Sequence, residues 1–296
     1  MSHGHHGHGH AHDHTARNIK SAFFLNVFFA LVELVGGLLT NSMAIMADAL
    51  HDLGDSLSLG LAWYFQRLSG KGRNESYSYG YKRFSVLGAI INAIVLTVGS
   101  VVVLTEAIPR IFEPQMPHAS GMLYLSIGGI LINGIAAIRM SHGHSLNERV
   151  VYLHLLEDVL GWAATLLVSI VLIFREMPVL DPLLSLFVSL FILYNVARNL
   201  KKSFSIILQA TPEGIDPNHI EASIKRHPEV RDVHDCHIWT LDGRYHILSI
   251  HVVVDEGQSI EQLAKIKQRI KSGLENLRID HVTLEFETRG ETCHSC

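Results

Sequence analysis

The sequence predicts an all-α membrane bundle of six transmembrane helices followed by a small α+β domain, and three observations lead to this prediction. Hydrophobic residues make up 48% of the 296-residue chain, and charged residues make up 18%. Six apolar stretches are each long enough to cross a bilayer, which takes about 20 residues. After Thr211 the hydropathy falls, and short alternating patterns replace the long apolar stretches.

The connections between the apolar stretches carry an alternating charge that predicts their orientation. The stretches lie near residues 19–39, 42–66, 84–108, 121–140, 150–174 and 182–200. Basic residues gather before the first stretch and after the second, fourth and sixth, at Arg17, Lys20, Arg67, Lys71, Arg73, Lys82, Arg83, Arg139, Arg149, Arg198, Lys201 and Lys202. The intervening loops carry only Arg110 and Arg175. The positive-inside rule therefore predicts a multi-pass membrane protein with both termini in the cytoplasm, rather than buried helices of a large soluble protein.

The composition of the chain indicates its cellular location and limits the kinds of partner it binds. No apolar core with a small-residue cleavage site starts the chain, and this absence, together with the short loops, favours a bacterial cytoplasmic membrane over an organelle. The formal net charge is −4, which argues against a nucleic-acid partner. The three cysteines, Cys236, Cys293 and Cys296, all lie in the last third of the chain. Their odd number fits a reducing cytosol better than a disulfide framework.

Two histidine–aspartate pairs lie inside the predicted spans and are the most informative residues of the chain. His51 and Asp55 lie in the second stretch, and His154 and Asp158 lie in the fifth. A spacing of four residues places both side chains of a pair on one helix face, about one turn apart. Ionisable groups inside a membrane are costly and usually line an ion pathway. Two imidazoles and two carboxylates suit a tetrahedral Zn²⁺ site better than Ca²⁺ or Mg²⁺, which prefer oxygen ligands alone.

Other roles are open for these pairs and for their polar neighbours. Histidine–aspartate hydrogen bonds could join the helices, but two such pairs on two spans favour an ion site. Asp48, one turn before the first pair, is a candidate acceptor behind the ligands or part of an entry path. Asp52 and Glu157 are expected on other helix faces. Glu33 and Asn92, in the first and third stretches, are expected to form interhelical hydrogen bonds.

The last third of the chain predicts the element order α-β-β-α-β. Asp216 is expected to cap a helix that has Pro217 at its first position and runs to about Arg226. Residues 230–241 and 245–255 alternate as strands around the turn signal at 242–243. Residues 281–287 form a third strand, and apolar residues at helical spacing predict a helix over 259–277: Ile260, Leu263, Ile266, Ile270 and Leu274. This order predicts a two-layer domain with its helices on one face of the sheet.

Several motifs resemble the cation diffusion facilitator family. The run NSMAIMADALHDLGD at residues 41–55 is similar to the second-span signature of that family. YGYKRF at 79–84, followed by Asn92, resembles its entry into the third span. HLLED at 154–158, Asp181-Pro182 and VHDCHIW at 233–239 also match, so the resemblance covers residues 19–287. The His-xxx-Asp form on both spans resembles the zinc-transporting branch.

The resemblance implies a homodimer whose C-terminal domain is ferredoxin-like or metallochaperone-like and forms dimer contacts. It implies efflux of a divalent cation by alternating access in exchange for protons. It makes His234, His251 and Glu287 candidates for a second, cytoplasmic metal site, with His281 a looser match. From their strand positions alone, these histidines are as often surface groups or satisfied core groups.

Both ends of the chain are rich in metal-binding side chains. Histidines alternate with glycines in residues 1–16, which predicts a disordered cytoplasmic tail that collects metal, with an expression tag as the alternative. Cys293 and Cys296 have Cys-x-x-Cys spacing and are candidate ligands that need partners from elsewhere, with a frayed reactive tail as the alternative. The predicted domains are residues 1–16 (tail), 17–208 (membrane), 209–290 (cytoplasmic) and 291–296 (Cys-rich tail).

The leading hypothesis is therefore an efflux transporter with Zn²⁺ as its cargo and as a regulatory ligand. Its expected partners are membrane lipid, protons, divalent metal ions and a second copy of the chain. Alternatives are a family member with broader specificity for cadmium, cobalt and nickel, a membrane-bound metal sensor or scaffold, and an intramembrane metalloenzyme. Four ligands disfavour the enzyme because catalytic zinc usually keeps an open position. No HExxH or nucleophile motif occurs in the sequence, and we expect no enzymatic activity.

Overall fold

The computed structural model describes residues 10–69, 71–141, 146–274, 277 and 279–291. The chain forms two compact units, one of residues up to 66 together with 88–199, and one of residues 67–87 together with those from 200 onward. Long helices make up the first unit, and the second contains a three-stranded sheet. The second unit includes residues 67–87 and 200–208, which the sequence predicted to lie in the membrane domain.

Six long helices correspond to the six apolar stretches. They are α1 (His10–Thr40), α2 (Met43–Ser69), α3 (Phe84–Phe112), α4 (Ala119–Met140), α5 (Leu146–Phe174) and α6 (Leu180–Ile207). In the described residues, α3, α4, residues 152–174 of α5, and α6 are long and apolar enough to cross a membrane. The described part of α1 adds a shorter apolar helix, Asn26–Thr40. The helical membrane domain is thus confirmed with four strongly apolar helices, and the hydropathy of α2 is lowered by its aspartates and His51.

The predicted disordered tail is shorter than the sequence suggested. The helix α1 begins at His10, so residues 10–16 of that tail are helical, while residues 1–9 lie outside the described part of the chain. The alternation with glycine ends at Gly9, and residues 10–16 contain neither glycine nor proline. The helix can therefore extend outward from the apolar segment without the usual helix breakers.

Close packing in the first unit depends on small residues. A Cβ atom at Gly129 of α4 would overlap the indole ring of Trp162 on α5, and Trp162 is 1% exposed. A Cβ atom at Gly54 of α2 would likewise overlap Leu96 on α3. The outer surface of these helices is apolar, with side chains such as Leu131 exposed by 56%. Small residues at helix contacts and an apolar exterior are what a lipid environment selects.

The start of α2 is fixed by a carboxylate from α6. Asp181 Oδ1 accepts a hydrogen bond from the Ser42 hydroxyl at 2.5 Å. Its two oxygens also accept from the backbone N–H groups of Met43 at 2.7 Å and Ala44 at 3.3 Å. These are helix N-terminal donors that have no partner within the helix, and a negative charge is favourable at that end. The motif residue Asp181, which is 2% exposed, therefore caps α2 and joins it to α6.

The second unit has the predicted order α-β-β-α-β. After α6 it contains α7 (Pro217–Lys225), β1 (Val230–Thr240), β2 (His246–Val254), α8 (Ile260–Leu274) and β3 (His281–Thr288). The strand order is β1-β2-β3, with β1 and β2 antiparallel and β2 and β3 parallel. Asp216 caps α7 as predicted, accepting from the backbone N–H of Asn218 at 3.0 Å.

The core of this domain lies between one sheet face and the two helices. Ile250 and Val252 of β2 are fully buried, and they pack with Ile270 of α8 and Ile224 of α7. The predicted apolar face of α8 is correct except at Ile260, which is 86% exposed. Ile260 is the first residue of α8 and precedes the turns that pack on the sheet.

Candidate metal centres

The two histidine–aspartate pairs lie together between α2 and α5. His154 Nε2 lies 3.3 Å from Asp55 Oδ2, so the contact crosses from one helix to the other. Within α2, His51 Nε2 lies 3.9 Å from the same Asp55 oxygen. Within α5, His154 Nε2 lies 3.8 Å from Asp158 Oδ2. Helical spacing aligns each pair, and the packing of α5 beside α2 makes the pairs face each other.

These separations can be compared with the geometry of zinc. Tetrahedral ligands at about 2.0–2.1 Å from Zn²⁺ lie about 3.3 Å from one another. The interhelical contact of 3.3 Å equals this value, and the two contacts within the helices are about half an ångström longer. The Asp158 side chain is 10% exposed and the His154 side chain is 32% exposed. The groups are therefore shielded but not sealed, as an ion-binding site requires.

The four groups form a row of contacts rather than a closed cage. The order is His51, Asp55, His154 and Asp158, and the two imidazole rings meet edge to face with centroids 6.4 Å apart. The ligand atoms of the four membrane residues are therefore not all mutually close. Among the described residues, such a compact group, with all its ligand atoms within 4.8 Å of one another, lies in the cytoplasmic domain.

The acidic neighbours of these pairs have different environments. A Cβ atom at Gly161 of α5 would lie 3.6 Å from Asp48 Oδ1. Asp48 of α2 therefore faces α5, as His51 and Asp55 do. Glu157 is exposed, in agreement with its expected position on another face. Glu33 is 2% exposed and interacts with Asp52. The interhelical contact expected at Glu33 of α1 is made with Asp52 of α2, whereas Asn92 Oδ1 has no hydrogen-bond partner among the described residues.

The second cluster lies on the sheet of the cytoplasmic domain. His234 of β1 is directly opposite His251 of β2, and their ring centroids are 5.3 Å apart. Glu287 of β3 reaches both histidines, with Oε2 at 3.0 Å from His234 Nε2 and Oε1 at 2.7 Å from His251 Nδ1. The side chains of His251 and Glu287 are 13% and 12% exposed. Register and pairing thus place the three predicted residues at one point.

A fourth polar group in this cluster did not emerge from the sequence. The β1–β2 register shifts between His234 and His237, and Asp235 at this irregularity has a φ of 51°. This left-handed conformation turns the Asp235 carboxylate toward His251 Nε2 at 3.4 Å and His237 Nε2 at 2.8 Å. A β-bulge that re-aims a side chain is common beside functional sites, but strand alternation alone does not reveal it.

His281 does not join this cluster. It pairs with Ile247 at the other end of β3, six residues before Glu287. At about 3.3 Å per residue this separation is about 20 Å. Its ring instead packs edge to face on Tyr79, with centroids 5.7 Å apart. Nearby, Lys82 Nζ lies 4.4 Å from the centre of the Tyr245 ring, so the segment before α3 packs on this domain through aromatic contacts.

Of the three cysteines, Cys236 lies within the described residues, and Cys293 and Cys296 lie outside them. Cys236 packs against the domain core, and burial, followed by the nearby charges of Glu221 and Asp235, raises the pKa of its thiol to about 11. A thiol with this pKa stays protonated at neutral pH and is a poor metal ligand.

Two protein-family models match the chain, one after the other along the sequence. A model described as the cation efflux transmembrane domain matches residues 19–208. A second model, described as the cation efflux protein cytoplasmic domain, matches residues 212–289. Together these two matches cover nearly all of the chain except its two ends.

Similar proteins span almost the whole chain. It is 37% identical over 271 residues to the cadmium, cobalt and zinc/H(+)-K(+) antiporter of Bacillus subtilis, covering 90% of this chain and 87% of that protein. It is 31% identical over 300 residues to zinc transporter ZitB of Escherichia coli, covering 99% and 95%. It is 32% identical over 290 residues to metal cation efflux system protein CzcD of Cupriavidus metallidurans, covering 97% and 89%. The chain therefore belongs to the cation efflux family of membrane transporters, which is the cation diffusion facilitator family.

Proposed function

We propose that this protein exports Zn²⁺ from the cytosol in exchange for protons, as a homodimer with six transmembrane helices in each chain. The observation that carries the proposal is the row of two imidazoles and two carboxylates that α2 and α5 bring together. Ionisable groups inside a membrane usually line an ion pathway, so a row of four supports a cation site more than hydrogen bonds between the helices. The relatives named as zinc transporters support the choice of ion.

The chemistry of the four groups explains the exchange for protons. Zn²⁺ binding needs neutral imidazoles and ionised carboxylates, so the metal and protons compete for the same atoms. A site open to the cytosol loads Zn²⁺, and the same site open to the outside releases it as protons bind. Histidine suits this exchange because its unperturbed pKa of about 6.5 lies near physiological pH.

Three features support six spans and cytoplasmic termini: helix length, inward-facing polar groups and the charge of the loops. The helices α1 and α2 contain 31 and 27 residues, and both exceed the length of about 20 that a bilayer requires. Their polar groups face inward where they are described, as with Glu33, which is 2% exposed. The charge difference between alternate loops supports the orientation, and the relatives' bacterial sources support a bacterial cytoplasmic membrane.

The cytoplasmic cluster is proposed as a regulatory Zn²⁺ site. His234 Nε2 is buried 3.0 Å from Glu287 Oε2 and has no aligned hydrogen-bond partner among the described residues, which supports a role as a metal ligand. We propose that the domain is metallochaperone-like and forms the dimer contacts that the family resemblance implies. Zn²⁺ binding to it would change the conformational equilibrium of the membrane bundle. Cys293 and Cys296 remain candidate extra ligands for this site.

A broader range of ions is the second candidate function. The Bacillus subtilis relative is named for cadmium, cobalt and zinc, and affinity order alone does not select among such ions. The imidazole nitrogens of the membrane site favour these borderline ions over Mg²⁺ and Ca²⁺. A His51→Asp variant should relax the preference for Zn²⁺ toward larger or harder cations, which competition between metals in a flux assay would measure.

Flux across a sealed membrane separates transport from the alternatives. The full chain is reconstituted in proteoliposomes that contain a zinc-sensitive dye, and a pH gradient is imposed in either direction. Transport predicts Zn²⁺ movement whose rate and direction follow the proton gradient. A sensor or scaffold binds Zn²⁺ in a filter assay but moves none, and that result would refute the proposal.

A further inference from the structure

One buried face of α4 contains a polar group without a partner. The buried residues of this helix recur every three or four positions, at Met122, Ser126, Gly129, Asn133 and Ala137. The Ser126 hydroxyl donates to the Met122 carbonyl at 2.7 Å. Asn133 is 8% exposed, and among the described residues its Nδ2 atom has no hydrogen-bond acceptor. Of the two polar side chains on this face, one is therefore paired and the other is not.

An unpaired amide is unfavourable inside a membrane bundle. A buried donor without an acceptor costs about 1–3 kcal/mol, and leucine would occupy a similar volume without this cost. Polar side chains of transmembrane helices usually bond to a neighbouring helix, and buried polar groups in native proteins nearly always have a partner. We therefore expect Asn133 to donate to an acceptor on a neighbouring helix in another state of the bundle.

The contact between α4 and α5 places Asn133 at the level of Asp158. Only residues 141–145 join these two helices, so the helices run antiparallel. Gly129 of α4 packs against the Trp162 ring of α5. Asn133 lies four residues after Gly129, and Asp158 lies four residues before Trp162, which is about one turn in each case. Because the helices run in opposite directions, both turns lead from the contact toward the same end of the bundle.

Glu33 of α1 is another buried acceptor near α4, but it lies farther from Asn133. The end of α1 meets the start of α4, so these two helices are also antiparallel. A Cβ atom at Gly36 would overlap the Leu125 side chain of α4. Glu33 lies three residues before Gly36 and so faces a point about three residues beyond Leu125. Asn133 is about five residues, or about 7.5 Å along the axis, past that point. Asp158 is therefore the nearer acceptor.

The Asp158 carboxylate has a use for such a donor. Its Oδ2 atom lies 3.8 Å from His154 Nε2, about half an ångström beyond the spacing of ligands in a tetrahedral zinc site. A carboxylate that binds Zn²⁺ through one oxygen leaves its other oxygen available to accept hydrogen bonds. Ligating carboxylates usually accept such bonds from groups around the site, and these bonds fix their orientation. An N–H₂ group on α4 at the level of Asp158 can supply one.

We propose that Asn133 is a positioning residue of the transport site. In the zinc-bound state its N–H₂ group donates to the Asp158 oxygen that does not contact the metal, and this bond holds the carboxylate in its ligating orientation. The proposal rests on the proposed function, because it takes Asp158 as a zinc ligand. Asn133 does not contact the ion itself. The helix α4 then contributes to a site whose four ligands all lie on α2 and α5.

Zinc binding by Asn133→Leu tests this role in the full chain. Leucine keeps the approximate volume of asparagine and removes the donor, and Asn133→Ala takes its place if Asn133→Leu fails to fold. Ser126→Ala is the matched control, because Ser126 lies on the same buried face but its hydroxyl is already paired. Zn²⁺ binding to the purified protein in detergent is measured by equilibrium dialysis. The part of the isotherm that Asp158→Ala abolishes is assigned to the membrane site.

We expect Asn133→Leu to weaken zinc binding at the membrane site roughly 10–100-fold, the usual effect of removing a group that orients a metal ligand. The KM for zinc flux in proteoliposomes should rise by the same factor. Denaturant titration should show no loss of stability, because a buried unpaired amide is removed. Ser126→Ala should keep the wild-type affinity and KM. Unchanged zinc affinity in Asn133→Leu, or equal losses in Asn133→Leu and Ser126→Ala, would overturn the positioning role.

The positioning role and the proposed function can fail separately. If Asn133→Leu weakens zinc binding but the wild type moves no zinc, the positioning role stands and transport is refuted. If the wild type moves zinc and Asn133→Leu binds it as tightly, transport stands and the positioning role is refuted. An isotherm that Asp158→Ala leaves unchanged would refute Asp158 as a ligand and the positioning role with it.

Discussion

Removing the Asp181 carboxylate should weaken both stability and transport, because it holds the start of the ligand-bearing helix α2. In Asp181→Ala, three buried donors lose their acceptor: the Ser42 hydroxyl and the N–H groups of Met43 and Ala44. A buried donor left unpaired costs about 1–3 kcal/mol, and some N–H groups at a helix start can turn to water. We therefore expect a loss of about 3–5 kcal/mol in the free energy of unfolding, toward the lower end of the summed range.

Asp181→Asn provides an internal scale for this prediction. The amide oxygen can replace Oδ1 and keep the bonds from Ser42 and Ala44, while the amide N–H₂ group opposes the N–H of Met43. One lost contact predicts a smaller destabilisation, about 1–3 kcal/mol. Glu176→Ala, an exposed carboxylate in the preceding loop, should change stability by less than about 0.5 kcal/mol.

Denaturant titration in detergent, with zinc flux measured in parallel, checks the order of these variants. The capping account requires Asp181→Ala to be less stable than Asp181→Asn and Asp181→Asn to be less stable than Glu176→Ala. Flux should fall in the same order because α2 carries His51 and Asp55. If Asp181→Ala were as stable as Asp181→Asn, the reasoning from hydrogen bonds would be refuted.

Three further predictions concern packing, metal binding and thiol reactivity. Gly129→Ala should destabilise the bundle by about 1–3 kcal/mol, because the added methyl group overlaps the buried indole of Trp162. The control Gly128→Ala should be tolerated, because its methyl group would contact no other atom. Thermal unfolding of both variants measures the difference. Zn²⁺ at 100 times its Kd should stabilise the cytoplasmic domain by about 2.7 kcal/mol. Calorimetry should show that shift lost in His251→Ala and kept in His281→Ala. Cys236 has a thiol pKa of about 11, so it should react slowly with iodoacetamide at pH 7–8, and the reaction should become faster as the pH approaches 11. A reaction rate that does not depend on pH would contradict the burial of this thiol.

Local patterns predicted the elements well because each element has a local cause. The capping residue Asp216 set where α7 begins, and alternation set the three strands. The start of α1 at His10 was not predicted, because the histidine-rich composition of residues 1–16 indicated disorder. The spacing of four residues placed each membrane pair on one helix face. What spacing could not supply was the packing of α5 beside α2, which produces the 3.3 Å contact between His154 and Asp55.

The cytoplasmic site was likewise predictable from strand pairing but not from features that strand alternation does not reveal. The facing of His234 and His251 follows from strand register, which the hairpin largely determines. Asp235 entered the site through a bulge, and strand alternation gives no sign of one. His281 was only a looser match in the family resemblance, and its position six residues before Glu287 on β3 keeps it away from the cluster.

The comparison of Asp158→Ala with Glu157→Ala tests the central claim most directly. The two carboxylates are neighbours on α5, but Asp158 is 9% exposed and lies beside His154, while Glu157 is exposed. Zn²⁺ flux into proteoliposomes under an imposed pH gradient is measured for both variants at equal amounts of folded protein. The account predicts that Asp158→Ala abolishes proton-driven flux and that Glu157→Ala retains it. Undiminished flux in Asp158→Ala would contradict the assignment of the transport site.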